Sequence, residues 1–255
     1  MAIAGMPKRS TLSETECADL IGTAARVVAL TGAGISTAAG IPDFRGPHGL
    51  YVTRRYDPEE VFDFMAFRDD PAPFYEFTRD FLGVLDTLEP TFAHHFLARL
   101  EVTGRMTAVV TQNIDSLHQR AGSNRVISLH GDYRTSHCLQ CGREYDFGRF
   151  EALVRDLEVP NCACGGLIKP DVVFFGEPVR NLEVAAAVIA SSDLLLVLGS
   201  SLSVYPAAFL PEQAGGNVVV VNRGDVGLSS GRRRFFVDRD LDEFFKGVAR
   251  SLGPS

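Results

Sequence analysis

The 255-residue chain reads as an α/β protein, a Rossmann-like, doubly wound parallel sheet with a smaller inserted domain built from a helical module and a four-cysteine zinc ribbon. Three observations predict this. Short apolar, β-branched runs alternate with helical stretches, the pattern of a buried parallel sheet covered on both faces. A glycine loop follows the first run directly. Two close cysteine pairs interrupt the alternation in mid-chain.

Ser13-Glu14-Thr15-Glu16 is a capping box that starts a helix running to about Ala24. Arg26 to Thr31 is an apolar run ending in glycines, a buried strand entering a tight loop. Residues 41–90 are rich in aromatic, charged and proline residues and contain no buried-strand run, so they form a helical module, with an amphipathic helix over Pro73 to Leu82. A helix over Phe92 to Glu101 leads to a strand at Met106 to Thr111 and a short one at Arg125 to Leu129. The cysteine segment occupies 138–164. Strands are then expected at Asp171 to Phe175, Leu194 to Leu198 and Val218 to Val221, with helices at Leu182 to Ala190, Ala207 to Ala214 and Asp240 to Leu252. The implied division places 1–40, 91–133 and 167–255 in the sheet domain, and 41–90 with 134–166 in the small one.

Composition limits the function. The chain is 45% hydrophobic and 22% charged, close to an average globular protein. A net charge of -7 disfavours nucleic-acid binding, which needs a basic face, and the run Arg232-Arg233-Arg234 reads as a solvated loop. The longest apolar stretch, Val184 to Val204, is broken by Asp193 and several serines, and Met1 to Ser10 lacks the apolar core of a signal peptide. A cytoplasmic protein without membrane contact is expected, and a monomer is taken as its state though no sequence feature reports it.

In Thr31-Gly32-Ala33-Gly34-Ile35-Ser36, glycines permit a tight turn and close backbone approach to a pyrophosphate, held by backbone N–H groups and a helix N-terminus. A lone Gly-x-Gly also fits a tight turn with no ligand. The hydride-transfer fingerprint fails, because Thr37 stands where a third glycine belongs and no acid-bearing second strand follows. Gly40 to Gly46 continues the loop as an ordered cover. There Phe44 is placed to shield a reactive intermediate and Arg45 to grip phosphate, the alternative being a surface loop with a packed Phe.

Gln112-Asn113-Ile114-Asp115 lies just past a strand end, where ligands of open α/β sheets bind; a capped helix start is the alternative. Leu129-His130-Gly131 offers a histidine suited to proton transfer near neutral pH, or a structural one. His94, His95 and His118 read as structural. Cys138-x-x-Cys141 and Cys162-x-Cys164, separated by twenty residues, match a tetrahedral zinc site with no open position, hence a structural metal. Cys17 reads as a plain apolar residue.

Taken together these segments resemble the sirtuin (Sir2) family. The resemblance is carried by Gly32 to Ser36, Gly40 to Arg45, Thr111 to Asp115, Leu129-His130-Gly131 and the four cysteines. Val173-Phe174-Phe175-Gly176-Glu177, Gly199-Ser200-Ser201-Leu202 and Val221-Asn222 complete it, all in family order. It implies an NAD-dependent protein-lysine deacylase. The acyl-lysine oxygen would attack the nicotinamide ribose, nicotinamide would leave, and an alkylimidate would form. The products would be free lysine and 2′-O-acyl-ADP-ribose. His130 would act as general base on a ribose hydroxyl, and Asn113 would hold the ribose and a water. Asp115 with Ile114 would bind the nicotinamide carboxamide. Gly32, Ala33, Gly34, Thr37, Asp43, Phe44, Arg45, Gln112, Gly199, Ser200, Ser201, Asn222, Arg223 and Asp240 match NAD-contacting positions. Val173, Phe175, Gly176, Glu177 and Val204 match the edges that hold the substrate peptide by β-augmentation.

Two departures matter. The second cysteine pair is one residue tighter than usual, with Gly165 and Gly166 following to relieve the turn. Relatives that prefer succinyl or malonyl lysine carry a Tyr-x-x-Arg pair; here Tyr75 is followed at that spacing by Thr78, with Arg79 one place late. Acetyl or other uncharged acyl groups are expected. A mono-ADP-ribosyltransferase and a non-enzymatic zinc-ribbon module are the alternatives.

Overall fold

In a computed structural model of the chain, the described residues are 10–41, 56–85 and 87–253. Helix α1 (Glu14–Thr23) opens with the expected capping box, Ser13 and Glu16 each bonding the other's backbone N–H. Strand β1 (Val27–Thr31) is buried along its whole length. After two 3-10 turns come α2 (Pro58–Val61), α3 (Phe64–Asp69), α4 (Ala72–Leu85) and α5 (Phe92–Val102). Then follow β2 (Met106–Thr111), α6 (Leu117–Arg120), β3 (Val126–Ser128), β4 (Gly131–Cys138), β5 (Glu144–Asp146) and α7 (Phe147–Asp156). The chain continues with β6 (Ile168–Val172), α8 (Leu182–Ala190), β7 (Leu194–Leu198), a 3-10 helix (Ala207–Gln213), β8 (Asn217–Val221), β9 (Arg234–Val237) and α9 (Leu241–Leu252).

Six strands form one parallel sheet in the order β3-β2-β1-β7-β8-β9. Strand β1 is followed outward by β2 on one side and by β7 on the other, so the order reverses between β1 and β7. This is the doubly wound arrangement expected from the sequence, and its switch point is where such sheets bind ligands. Because side chains alternate along a strand, β1 serves two cores. Val27 and Ala29 pack with α1, α5 and α9 through Ile21, Phe96 and Phe245. Val28 and Leu30 pack on the opposite face with α8 and the 3-10 helix through Ile189 and Leu210.

The remaining strands form a small antiparallel sheet, β5-β4-β6, backed by α4 and α7. Its core is aromatic: Phe62, Phe67, Phe74 and Phe174 meet largely edge to face. Edge-to-face contact places positive ring edges on negative faces, giving about 0.5–1.5 kcal/mol per pair beyond area burial.

Three sequence expectations need correction. The strand placed at Asp171 to Phe175 is β6, which ends at Val172. Pairing with β4 stops there because Val173 N–H turns to the His130 carbonyl (2.8 Å) and Phe175 N–H to that of Phe62 (2.7 Å). The helix expected over 207–214 is a 3-10 helix containing Pro211, whose missing N–H weakens the regular ladder. The basic run at 232–234 is not wholly a solvated loop. Arg234 begins β9, where Phe235, Phe236 and Val237 favour extended backbone, and its guanidinium bonds Glu212 and Ser229. Among the described residues no helix is long and apolar enough to cross a membrane.

Candidate active site

The site forms where β1 and β7 end side by side. Gly32 N–H donates to Leu198 O (3.0 Å) and Gly34 N–H to Gly199 O (2.9 Å), stitching the two loops together. The approach requires glycine on both sides. A Cβ on Gly34 would lie 2.7 Å from Gly199 Cα, and one on Gly199, whose φ is 61°, would lie 2.3 Å from Ile35 N. Thr37 Oγ1 closes the turn by donating to Gly34 O (3.0 Å).

The end of β2 supplies the polar side. Gln112 N–H donates to Thr31 O (3.0 Å), and its Nε2 donates to Ser200 Oγ (3.1 Å), bridging from β2 across β1 to β7. Ser36 Oγ donates to Asp115 Oδ2 (2.6 Å), while Asn113 Nδ2 lies 3.2 Å from both Ser36 Oγ and Asp115 Oδ2. Asp115 Oδ1 accepts from Leu117 N–H (2.9 Å). Burial pushes the Asp115 carboxyl above its usual range, with Ser36, Leu117 and Asn113 acting against that shift. Ile114, between them, packs against the small module's core.

His130 joins the two sheets. Its half-buried ring follows β3 and immediately precedes β4. Gly131 must adopt φ 71° and lets the backbone pass so close to Asp171 that a Cβ would sit 1.7 Å from its carbonyl oxygen. His130 Nδ1 is 2.8 Å from Gln112 O. A carbonyl oxygen only accepts, so Nδ1 carries the proton and neutral His130 keeps its lone pair on Nε2. Burial lowers the His130 pKa, and the bond to Gln112 opposes that without overcoming it. The result is a neutral imidazole with one fixed tautomer, the state a general base requires.

The segment after β6 is anchored to this histidine by the Val173 N–H bond to His130 O. Gly176 has φ 90°, Phe175 is exposed, and Glu177 Oε2 accepts from Phe174 N–H (2.8 Å) while pairing with buried Lys169 (2.8 Å). Val204 lies between β7 and the 3-10 helix, its carbonyl accepting from Ala208 N–H (2.9 Å). Ser201 Oγ lies 2.8 Å from Ser203 Oγ. Beyond β8, Asn222 Nδ2 donates to Arg223 O (2.9 Å), and Arg223 pairs with Asp240 (3.3 Å), the N-cap of α9.

The structure thus joins Gly32, Gly34, Gln112, Asn113, Asp115, Gly199, Ser200 and His130 in one bonded network, with Ala33, Thr37 and Ile114 within its loops. Asn222, Arg223 and Asp240 form a separate group at the ends of β8 and β9. Asp43, Phe44 and Arg45 lie outside the described residues. Ser36, the last residue of the glycine motif, also belongs to this network. Its hydroxyl is the hinge between loop and polar turn, and only tertiary proximity to Asp115 reveals this.

At the far end of the small sheet, the four Sγ atoms of Cys138, Cys141, Cys162 and Cys164 all lie within 4.8 Å of one another. Cys138–Cys164 and Cys141–Cys162 are separated by 3.5 and 3.7 Å, close to the roughly 3.8 Å edge of a tetrahedron with Zn–S bonds of about 2.3 Å. Gln140 and Cys141 N–H groups donate to Cys138 Sγ (3.4 and 3.5 Å), which favours the thiolate. A Cβ on Gly166 would lie 2.6 Å from Gln140 Cβ and 2.7 Å from Cys138 Sγ, so only glycine lets the chain after the second pair pass this close to the first. The cluster suits a structural zinc ion.

A doubly wound sheet with a glycine loop at its switch point, and a tautomer-fixed histidine bonded to the end of the neighbouring β2, defines a dinucleotide-site protein with proton-transfer capacity. The Sir2 family model matches residues 32–206, and the chain belongs to that family. It is 45% identical over 216 residues to the NAD-dependent protein deacetylase of Sulfurisphaera tokodaii, covering 83% of this chain and 85% of that one. It is 44% identical over 216 residues to that of Thermotoga maritima, covering 82% and 87%. A solved Sir2 with p53 peptide and NAD+ superposes with TM-score 0.86 at 39% identity, covering 96% of this chain and all of that one. Another, with deacetylated p53 peptide and 3′-O-acetyl-ADP-ribose, superposes with TM-score 0.88 at 40% identity, covering 96% of this chain and all of that one.

Proposed function

We propose that the protein removes acyl groups from protein lysines, consuming NAD+ and releasing nicotinamide, free lysine and 2′-O-acyl-ADP-ribose. The observation that carries this reading is the Gln112–His130 bond, which leaves a basic Nε2 on the residue that also anchors the segment after β6. NAD+, when bound, supplies the ribose that receives the acyl group. Gly32, Ala33, Gly34 and Thr37, with Gly199, Ser200 and Ser201, cradle phosphate and ribose at the switch point. The family resemblance assigns Asp43, Phe44 and Arg45 to NAD+ contact as well. Asn222, Arg223 and Asp240 hold the adenosine end. Asp115 and Ile114 fix the carboxamide, and Asn113 orients the ribose and a water. His130 Nε2 takes the proton from a ribose hydroxyl. Val173, Phe175, Gly176 and Glu177 on one side, and Val204 on the other, pair with the backbone of the substrate peptide.

Arg79 supports an uncharged acyl group. Its guanidinium is spent on the carbonyls of Val154, Leu157 and Glu158, which end α7 and the turn after it. Tyr75 is buried, with its hydroxyl on Ile168 O, and Thr78 is fully buried. None offers a free cation to an acidic acyl chain. The same reading has the protein act as a cytoplasmic monomer on protein substrates, and the net charge of -7 supports the exclusion of nucleic acid.

The test is formation of O-acyl-ADP-ribose from NAD+ and an acetyl-lysine peptide, followed by mass spectrometry. His130→Ala should reduce it by about 10²–10⁴-fold, the usual worth of a general base. Equal product formation by both proteins rejects the mechanism, and ADP-ribose bound to protein in place of the small product favours a mono-ADP-ribosyltransferase.

A further inference from the structure

One buried charge takes no part in the mechanism. Lys169 lies in β6 and is only 2% exposed. Its ammonium donates to Val172 O (2.6 Å) and to Pro170 O (3.4 Å) and pairs with Glu177 Oε2 (2.8 Å). It also sits 4.0 Å from the centroid of the Phe174 ring. All of these partners lie at the end of the strand or in the segment that follows it.

The backbone of that segment shows why a cation is needed. Val173 N–H and Phe175 N–H each reach a backbone carbonyl, those of His130 and Phe62. Phe174 N–H, between them, instead donates to Glu177 Oε2 (2.8 Å), and Glu177 N–H returns to Phe174 O (3.0 Å). A partly buried carboxylate used in this way needs a counter-charge, because desolvating it alone costs more than the bond gains. Lys169 supplies that charge from the buried side. Burial lowers the Lys169 pKa, and the bond to Glu177 and its charge oppose that shift. The Phe174 ring belongs to the aromatic core and lies against the cation, whereas Phe175 next to it is exposed.

We propose that Lys169 is a positioning residue for peptide capture, its ammonium joining Val172 O to Glu177 Oε2 and so fixing the segment from Val173 to Glu177 in the shape that pairs with the substrate backbone. The inference rests on reading that segment as the peptide edge. Lys169 is too deeply buried to touch a peptide itself, so it acts through the segment alone. Among the described residues its bonds end on Pro170, Val172 and Glu177, not on the glycine loop or the end of β2. Its loss should therefore separate peptide capture from NAD+ capture.

Anisotropy of a labelled acetyl-lysine peptide, and calorimetry with NAD+, test this on the full-length protein. Lys169→Met should weaken peptide binding roughly tenfold and leave NAD+ affinity within about twofold of wild type, because the charged hydrogen bonds it removes shape one ligand's edge only. Lys169→Arg, which keeps a cation with N–H groups for both acceptors, should bring peptide binding back to within about threefold. Unchanged peptide binding in Lys169→Met, an equal loss of both ligands, or an arginine variant as weak as the methionine one rejects the role. The wild type gives a second reading that needs no variant to fold. The chain has three lysines, Lys8, Lys169 and Lys246, so ¹⁵N-lysine labelling gives few ammonium signals to assign. That of Lys169 should exchange slowly with water, and should shift on adding acetyl-lysine peptide but not NAD+ alone. A fast-exchanging signal, or one that bound peptide leaves in place, rejects the inference. A wild type that binds no acyl peptide rejects the peptide-edge assignment instead, and leaves the slow-exchange result standing.

Discussion

One hydrogen bond decides what His130 can do. The Gln112 carbonyl fixes the proton on Nδ1, and burial holds the ring below the ordinary histidine value of about 6.5. Only the neutral ring accepts a proton, so kcat/KM should rise with pH through a single acid limb whose midpoint lies below about 6.5 and should be flat above it. A rate profile over pH 4.5–8 checks this, and a limb centred above 7 contradicts the assigned environment. Acyl choice is also decided at single residues. Because Arg79 serves the α7 terminus, succinyl-lysine peptide should be turned over more slowly than its acetyl counterpart in parallel kcat/KM measurements. Higher activity on the succinyl peptide would show that another cation reads the acyl group.

The elements carry a pH dependence of stability apart from catalysis. His94 and His118 titrate near 2 and 3 in the folded protein and near the ordinary 6.5 when unfolded. Below pH 6.5 the unfolded chain binds protons that the folded one refuses. Stability is therefore complete above that pH and is lost as pH falls toward the folded values, by about 1.4 kcal/mol per pH unit for each ring. Urea melts at pH 7 and 5 should show this loss, and His118→Phe should remove about half the part due to the pair. An unchanged pH dependence in that variant would count against the folded-state values. The same elements show what was legible in advance. Strands β1, β7 and β8 stand out because strands buried on both faces are continuous apolar runs, and α1 because Ser13 and Glu16 cap it. Strand β9 was hidden by the arginines before it, since its extended form depends on pairing with β8. His130, Asn113, Asp115 and the cysteines could be named from their motifs. The role of Ser36 could not, because it depends on Asp115, 79 residues away.

Across the whole molecule, β4 ties metal to chemistry. It starts at Gly131, beside His130, and ends at Cys138 in the four-cysteine cluster, pairing with β6 at Gly131 and again from Ser136 to Cys138. The small sheet has three strands, two of them only three and five residues long, too little to hold its register unaided. A zinc ion held by the four cysteines would close one end of this sheet, and the aromatic core fills its face, whereas the six-stranded sheet has its own cores on both faces. Chelation should therefore act on one part of the molecule. Hydrogen exchange should quicken first in β4, β5 and β6 while β1 and β7 keep their protection, since structural zinc supplies folding free energy directly to its own module. Activity should fall with the small sheet, because Gly131 and the Val173 bond hold His130 through it. Metal analysis should find one zinc per chain, and Cys138→Ser should reproduce the chelated pattern. If zinc is well below one per chain, or if chelation leaves exchange in β4 to β6 unchanged, the four cysteines do not hold a metal that keeps this strand, and with it His130, in place.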